Sequence, residues 1–173
     1  FTGAVTVQQG TLALSGGSAL ADSAVVQLNN NSTLRLDASE TLAGINSVAA
    51  ASINLQGNAL TLGDAANFGI ASAITGTGGS LVKVGTGTLT LTGANTYSGG
   101  TTVTAGVLNS RFNTTQNSIG TGAASIASGA TLSIDNTNIS GTTPVFANTI
   151  TGSGLLRVTF AANTTARNTT ISG

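Results

Sequence analysis

The chain contains no cysteine and no histidine, and only ten of its 173 side chains carry charge. Without His or Cys it cannot assemble a Ser-His-Asp or Cys-His nucleophile, a His or Cys metal site, or a disulfide. The charges divide into five Lys or Arg and five Asp or Glu, a net charge of zero. That balance offers no basic field to phosphate and no acidic field to cations, so nucleic acid is not an expected partner. No run of about 18 apolar residues is present, so no transmembrane segment is expected. The charged start and cleavage site of a signal peptide are also missing. A chain that begins at Phe1 rather than Met is expected to be a segment of a longer protein, with its targeting information outside this segment.

What fills the chain instead is small and polar. Thr, Gly, Ser and Asn supply 88 residues, half of the total. Disorder does not follow, because Leu, Val, Ile and Phe supply 43 residues, about a quarter of the chain, which is enough for a core. The apolar residues alternate with Thr, Ser and Ala in short runs such as Thr88-Leu89-Thr90-Leu91-Thr92, Thr33-Leu34-Arg35-Leu36 and Thr131-Leu132-Ser133-Ile134. This is the period of a β-strand. Each run is bounded by Gly, Asn, Asp or Ser, the residues of tight turns, and no stretch reads as an amphipathic helix.

The runs recur. Leu12, Leu34, Leu60, Leu89, Leu132 and Leu155 follow one another at 22, 26, 29, 43 and 23 residues, where 43 is close to two periods. A strand-and-turn repeat of 20 to 30 residues fits a parallel β-helix with three short strands per coil, with a β-sandwich as the main competitor. A longer internal repeat favours the solenoid. Val7, Gly10 and Leu12 match Val103, Gly106 and Leu108, Thr33 to Asp37 matches Thr131 to Asp135, and Phe68 with Ile74-Thr75-Gly76 matches Phe146 with Ile150-Thr151-Gly152. The offset falls by 20 between Asp37 and Phe68, as if one coil were gained or lost. A solenoid tolerates that because each coil touches only its neighbours, whereas a sandwich loses paired strands. In stacked coils the outward side chains form ladders about 4.8 Å apart, where like charges would repel and Thr, Ser and Asn can hydrogen-bond.

The segment Leu81 to Leu108, LVKVGTGTLTLTGANTYSGGTTVTAGVL, resembles the passenger-associated transport repeat of autotransporter proteins over its whole length. The resemblance implies an all-β, right-handed parallel β-helix. It implies a single β-helix segment over residues 1–173, part of a longer passenger, with the repeat at 81–108. It further implies type V secretion from a Gram-negative bacterium, display at the cell surface or release outside it, and a C-terminal β-barrel translocator that lies outside this segment. The missing cysteines suit a chain that crosses an outer-membrane pore unfolded. Arg157-Val158 stand in the second copy where Lys83-Val84 stand in the first, but Thr159-Phe160-Ala161 replace the continuation.

Candidate sites are few. Asp37 and Asp64 fall at turns that stacked coils could bring together over Ca²⁺, and Asp135 follows a strand in the same way, but closing turns is the usual role of Asp and no calcium-binding repeat is present. Asp37 and Glu40 are the acids closest in sequence, and a glycosidase pair would need an aromatic platform that is missing. Gly76 to Gly79 and Gly85 to Gly87 read as turn glycines rather than a phosphate cradle, since the one lysine, Lys83, does not follow a glycine as a P-loop requires. Tyr97 is expected to pack over a turn with its hydroxyl in water. The stretches from Asn109 to Gly120 and from Asn136 to Pro144 break the strand pattern and read as loops leaving the coil, which makes Arg111 and Phe112 the candidate ligand contacts. No catalytic residue, cofactor or metal is expected. The expected role is a rigid stalk with an adhesin or self-association surface, whose partners are another copy or a host-surface glycan; the alternative is a polysaccharide lyase or hydrolase on the same scaffold.

Overall fold

The computed structural model describes residues 1–111, 118–137 and 147–160. The chain winds through β1 (Val5–Val7) and β2 (Gly10–Leu14), then β3 (Val25–Leu28), β4 (Ser32–Leu36) and β5 (Glu40–Leu42). The third coil holds β6 (Gly44–Ser47), β7 (Ser52–Asn54) and β8 (Ala59–Leu62), and the fourth β9 (Phe68–Ile70), β10 (Ala73–Thr75) and β11 (Ser80–Lys83). After these come β12 (Thr88–Leu91), β13 (Thr101–Val103), β14 (Val107–Arg111), β15 (Ala124–Ile126), β16 (Thr131–Asn136), β17 (Ile150–Gly152) and β18 (Leu155–Phe160). No helix occurs among the described residues.

These strands form three sheets. The first face stacks β1, β3, β6, β9, β12, β14, β16 and β18; the second stacks β2, β4, β7 and β10; the third stacks β5, β8, β11, β13, β15 and β17. Pairing is parallel throughout the described residues, giving a β-solenoid of about seven turns with three strands in a complete coil. Val5 lies opposite Val26 and Val26 opposite Ile45, so coils of 21 and 19 residues stack directly.

The alternation read from the sequence sorts inside from outside. Leu89 and Leu91 point into the coil at 1% and 0% exposure, and Leu89 continues a column through Leu108 and Leu132. On the second face Leu12, Leu34, Ile53 and Ile74 stack in the same way. Each fully buried Leu or Ile contributes about 1.5–3 kcal/mol relative to exposure, so the columns hold the coils together. Outward positions carry Thr61, Val82, Thr102, Ser125 and Thr151 on the third face. Hydroxyls hold four of these five positions, and Ser125 donates to Thr102 at 3.2 Å.

Two details of the sequence reading change. The recurring leucines do not form one column: Leu34 is on the second face, Leu60 on the third and Leu89 on the first, while Leu155 pairs with Thr131 and is 52% exposed. All three faces share one alternating pattern, so spacing alone does not say which face a strand joins. For the same reason the longer repeat is turned by one face. Val7 and Gly10 bridge the first and second faces, whereas Val103 and Gly106 bridge the third and first. What the two copies share is the corner, where Gly10 (φ 80°) and Gly106 (φ 64°) take the left-handed backbone that favours glycine. Phe146 lies outside the described residues.

Above β10 the second face carries no strand among the described residues, and asparagines take over its hydrogen bonds. Asn95 Oδ1 accepts from Ile74 N at 2.7 Å and Asn95 Nδ2 donates to Ser118 O one coil further on. Asn148 Nδ2 donates to Gly120 O at 3.1 Å and to Gly122 O at 2.6 Å. Buried carbonyls and amides left by the missing strand would otherwise lack partners.

Candidate functional site

The motif-bearing coil is built from residues that serve the coil's own backbone. Lys83 alternates inward on β11, so it enters the interior column between Leu62 and Val103 and is 1% exposed. Its ammonium is held by three carbonyls: Nζ donates to Val84 O at 2.5 Å, Gly85 O at 2.9 Å and, one coil above, Ala105 O at 3.3 Å. Burial pushes its pKa down, and the charge of Asp64 works in the opposite direction. The lysine acts as an internal cation that joins the turns of two coils. Beside it, a Cβ at Gly87 would lie 1.8 Å from Ala66 O, so only glycine lets this turn settle on the coil below.

Tyr97 does not place its hydroxyl in water. The side chain is 0% exposed and its hydroxyl lies 2.7 Å from Thr101 Oγ1, which donates to Ile119 O at 2.9 Å. Burial raises the phenol pKa above its ordinary value, and the Thr101 contact lowers it by less. The alternation missed this because no strand runs through Tyr97; the turn carrying it folds inward and fills the core.

Arg111 ends β14, opposite Asp135 on β16, and its Nε donates to Asp135 Oδ2 at 3.1 Å. Asn109 to Arg111 are therefore strand rather than loop, and Asn136 likewise belongs to β16. Phe112 lies outside the described residues, as do residues 113–117 and 138–146. Around Asp135, desolvation works to raise the pKa, but Thr137 through its side chain and backbone, together with Arg111, holds it below the ordinary carboxylate value. This makes Arg111 a tie between coils, on a side chain that stays about half exposed.

The other acids are similarly committed within the chain. Asp37 closes a second-face strand and takes two 2.8 Å bonds from Arg35, which hold its pKa down, whereas Asp64 follows a third-face strand and accepts from Ala66 N at 2.6 Å. The two stand at different corners, so they do not form a stacked calcium pair. Glu40 turns inward at 3% exposure and accepts from Ala19 N and Leu20 N, both at 3.2 Å, bracing the first coil. Its place in the Glu40-Thr41-Leu42 alternation is the signal that marks it as interior. Among the described residues no group of three or more His, Cys, Asp or Glu could hold a metal ion. Arg157, set against Lys83 by the sequence alignment, is exposed on the first face opposite Ser133, so it has no part in a second ammonium cage.

Comparison with known proteins agrees with this geometry. The family model of the passenger-associated-transport repeat matches residues 1–14 and 81–109. The two matches contain the corners at Gly10 and Gly106 described above. No curated protein and no solved structure matches. The chain thus carries the passenger-associated-transport repeat on a β-solenoid of about seven turns, a combination consistent with an autotransporter passenger domain.

Proposed function

We propose that the chain is a surface-exposed or secreted passenger segment of a Gram-negative autotransporter, working as a rigid stalk whose polar faces serve as an adhesin or self-association surface. The observation that carries this is the eight-rung parallel ladder of the first face, which runs past the repeat without a change of register partner. Such a ladder adds about 4.8 Å of length for each coil and transmits no motion between ends except through nearest neighbours. The internal ties of Lys83, Tyr97, Arg111 and four of the acids support a structural role, since each uses its polar group within the chain. They leave the lyase or hydrolase reading without a free pair of carboxylates at Asp37 and Glu40.

Export tests the proposal directly. The chain, joined to the signal peptide and C-terminal β-barrel of an autotransporter and expressed in a Gram-negative host, should become accessible to protease on intact cells. Retention in the periplasm, with the same barrel exporting a control passenger, would overturn the reading. Release of reducing ends from polysaccharide by the purified chain would overturn the purely structural role.

A further inference from the structure

Most asparagines of the coils use their side chains to stack one coil on the next: Asn58 donates to Leu36 O, Asn67 accepts from Thr88 N, and Asn95 bridges Ile74 and Ser118. One corner adds exposed amides to such a bond. Where the first face turns toward the second in coils one to three, Gln8, Asn29 and Val48 stack, because Asn29 N bonds Val7 O at 3.0 Å and Val48 N bonds Leu28 O at 3.3 Å beyond the strand ends. Gln9 and Asn30 flank them, and together the five residues line a shallow depression of about 340 Å³. Gln27 reaches Asn29 Oδ1 at 3.5 Å and Asn29 Nδ2 donates to Gln8 Oε1 at 2.7 Å, so the amides orient one another. Gln9 and Asn30 are exposed and their side chains bond nothing among the described residues.

We propose that this amide-lined corner of coils one to three is a binding site for a neutral oligosaccharide. The inference rests on the passenger reading, since a sugar ligand presumes a chain exposed outside the cell. An amide offers a donor and an acceptor side by side, which matches the donor-and-acceptor character of neighbouring sugar hydroxyls. No charged side chain lines the depression, so phosphate, sulfate and carboxylate groups find no counter-ion there. An apolar ligand finds one partner, Val48, which is 37% exposed. Coils repeat at about 4.8 Å, comparable with the length of one sugar unit, so a glycan along the axis presents one unit to each coil. Three of the chain's five glutamines and its one run of three asparagines, residues 29–31, fall at this corner.

The test is a titration of the ¹⁵N-labelled chain with maltohexaose and with chitohexaose, following side-chain amide resonances. Saturable shifts at Gln8, Gln9, Asn29 and Asn30 are expected with at least one of the two sugars. The double variant Gln9→Ala, Asn30→Ala removes two exposed side chains without touching the core and should weaken that binding by about tenfold or more. Silence toward both sugars overturns the site, as do shifts that survive in the double variant. Shifts that follow protein concentration without sugar would assign the corner to a second copy instead, and would also overturn it. Export is read on cells and sugar binding on the purified chain, so a chain that is displayed but silent loses this site and keeps the passenger reading.

Discussion

Replacing Tyr97 by Phe keeps the buried ring and removes one oxygen, which isolates what the hydroxyl does. Thr101 gives its proton to Ile119 O, so Tyr97 must donate to Thr101 Oγ1 and not accept from it. At neutral pH the variant loses one neutral hydrogen bond and should be less stable by about 1 kcal/mol. At high pH the sign reverses. Burial holds the folded phenol above the value of about 10 that an unfolded tyrosine shows. The contribution of a group whose folded pKa is raised is complete below the unfolded pKa and is lost as pH climbs above it. From about pH 10 the unfolded chain ionises while the folded chain does not, so the wild type loses about 1.4 kcal/mol per pH unit on this account and the variant loses none. The two stability curves should cross about one unit above pH 10. The chain has a single tyrosine, so tyrosinate absorbance reads this residue alone, and denaturant midpoints at each pH give the stability difference. Tyrosinate appearing near pH 10 with the β-type circular dichroism intact would refute the buried assignment, and so would a variant that tracks the wild type throughout.

Leu89→Asp places an unpaired carboxylate in the interior column and should cost about 3–5 kcal/mol, whereas Thr90→Asp, facing outward between Gly69 and Asn109, should cost about 1 kcal/mol; equal shifts in denaturation midpoint would contradict the inward assignment. Lys83→Met removes the cation from three carbonyls and should cost about 3 kcal/mol despite its apolar surroundings, and Lys83→Arg should not restore it, because a planar fork does not fit a compact cage. Denaturation of the two variants checks this, with a loss for Lys83→Met below about 1 kcal/mol counting against the cage.

Strand period and repeat length made the solenoid legible in the sequence, because both follow from local rules: Thr88 to Thr92 can alternate only as a strand, and an interval of 20 to 30 residues closes one coil. The assignment of runs to faces was not legible, as Leu60 and Leu155 illustrate, because three faces of similar chemistry give the same alternation. The partners of the interior polar groups were hidden for a different reason. The alternation of their strands turns Lys83 and Glu40 inward, but the groups that offset their burial include Ala105 O and Leu20 N of neighbouring coils, and Asn95 likewise meets Ile74 N and Ser118 O, all about 20 positions away. Tyr97 lies outside any strand, so no alternation marks it, and its hydroxyl meets Thr101 across the turn. Arg111 was read as part of a loop leaving the coil, whereas it ends β14, because the partner that holds it there, Asp135, comes from the next coil, 24 positions on.

The central claim is that the coils are interchangeable stacked units, and excising one of them tests it most directly. Thr41 lies opposite Thr61 on the third face, so removal of residues 41–60 joins Glu40 to Thr61 in register. The same cut brings β3 against β9. Val25, the rung partner of Gly44, would then occupy the space where a Cβ at Gly44 meets the Phe68 ring at 2.4 Å, so the deletion should be made with Val25→Gly. A deletion of residues 41–59 serves as the control, because a slip of one residue turns the inward side chains of β8 outward. The in-register deletion should keep a cooperative β-type transition and shorten the particle by about 5 Å in small-angle scattering, while the control should aggregate or fail to fold. Equal behaviour of the two deletions, whether both fold or both collapse, would contradict the stacked-coil account.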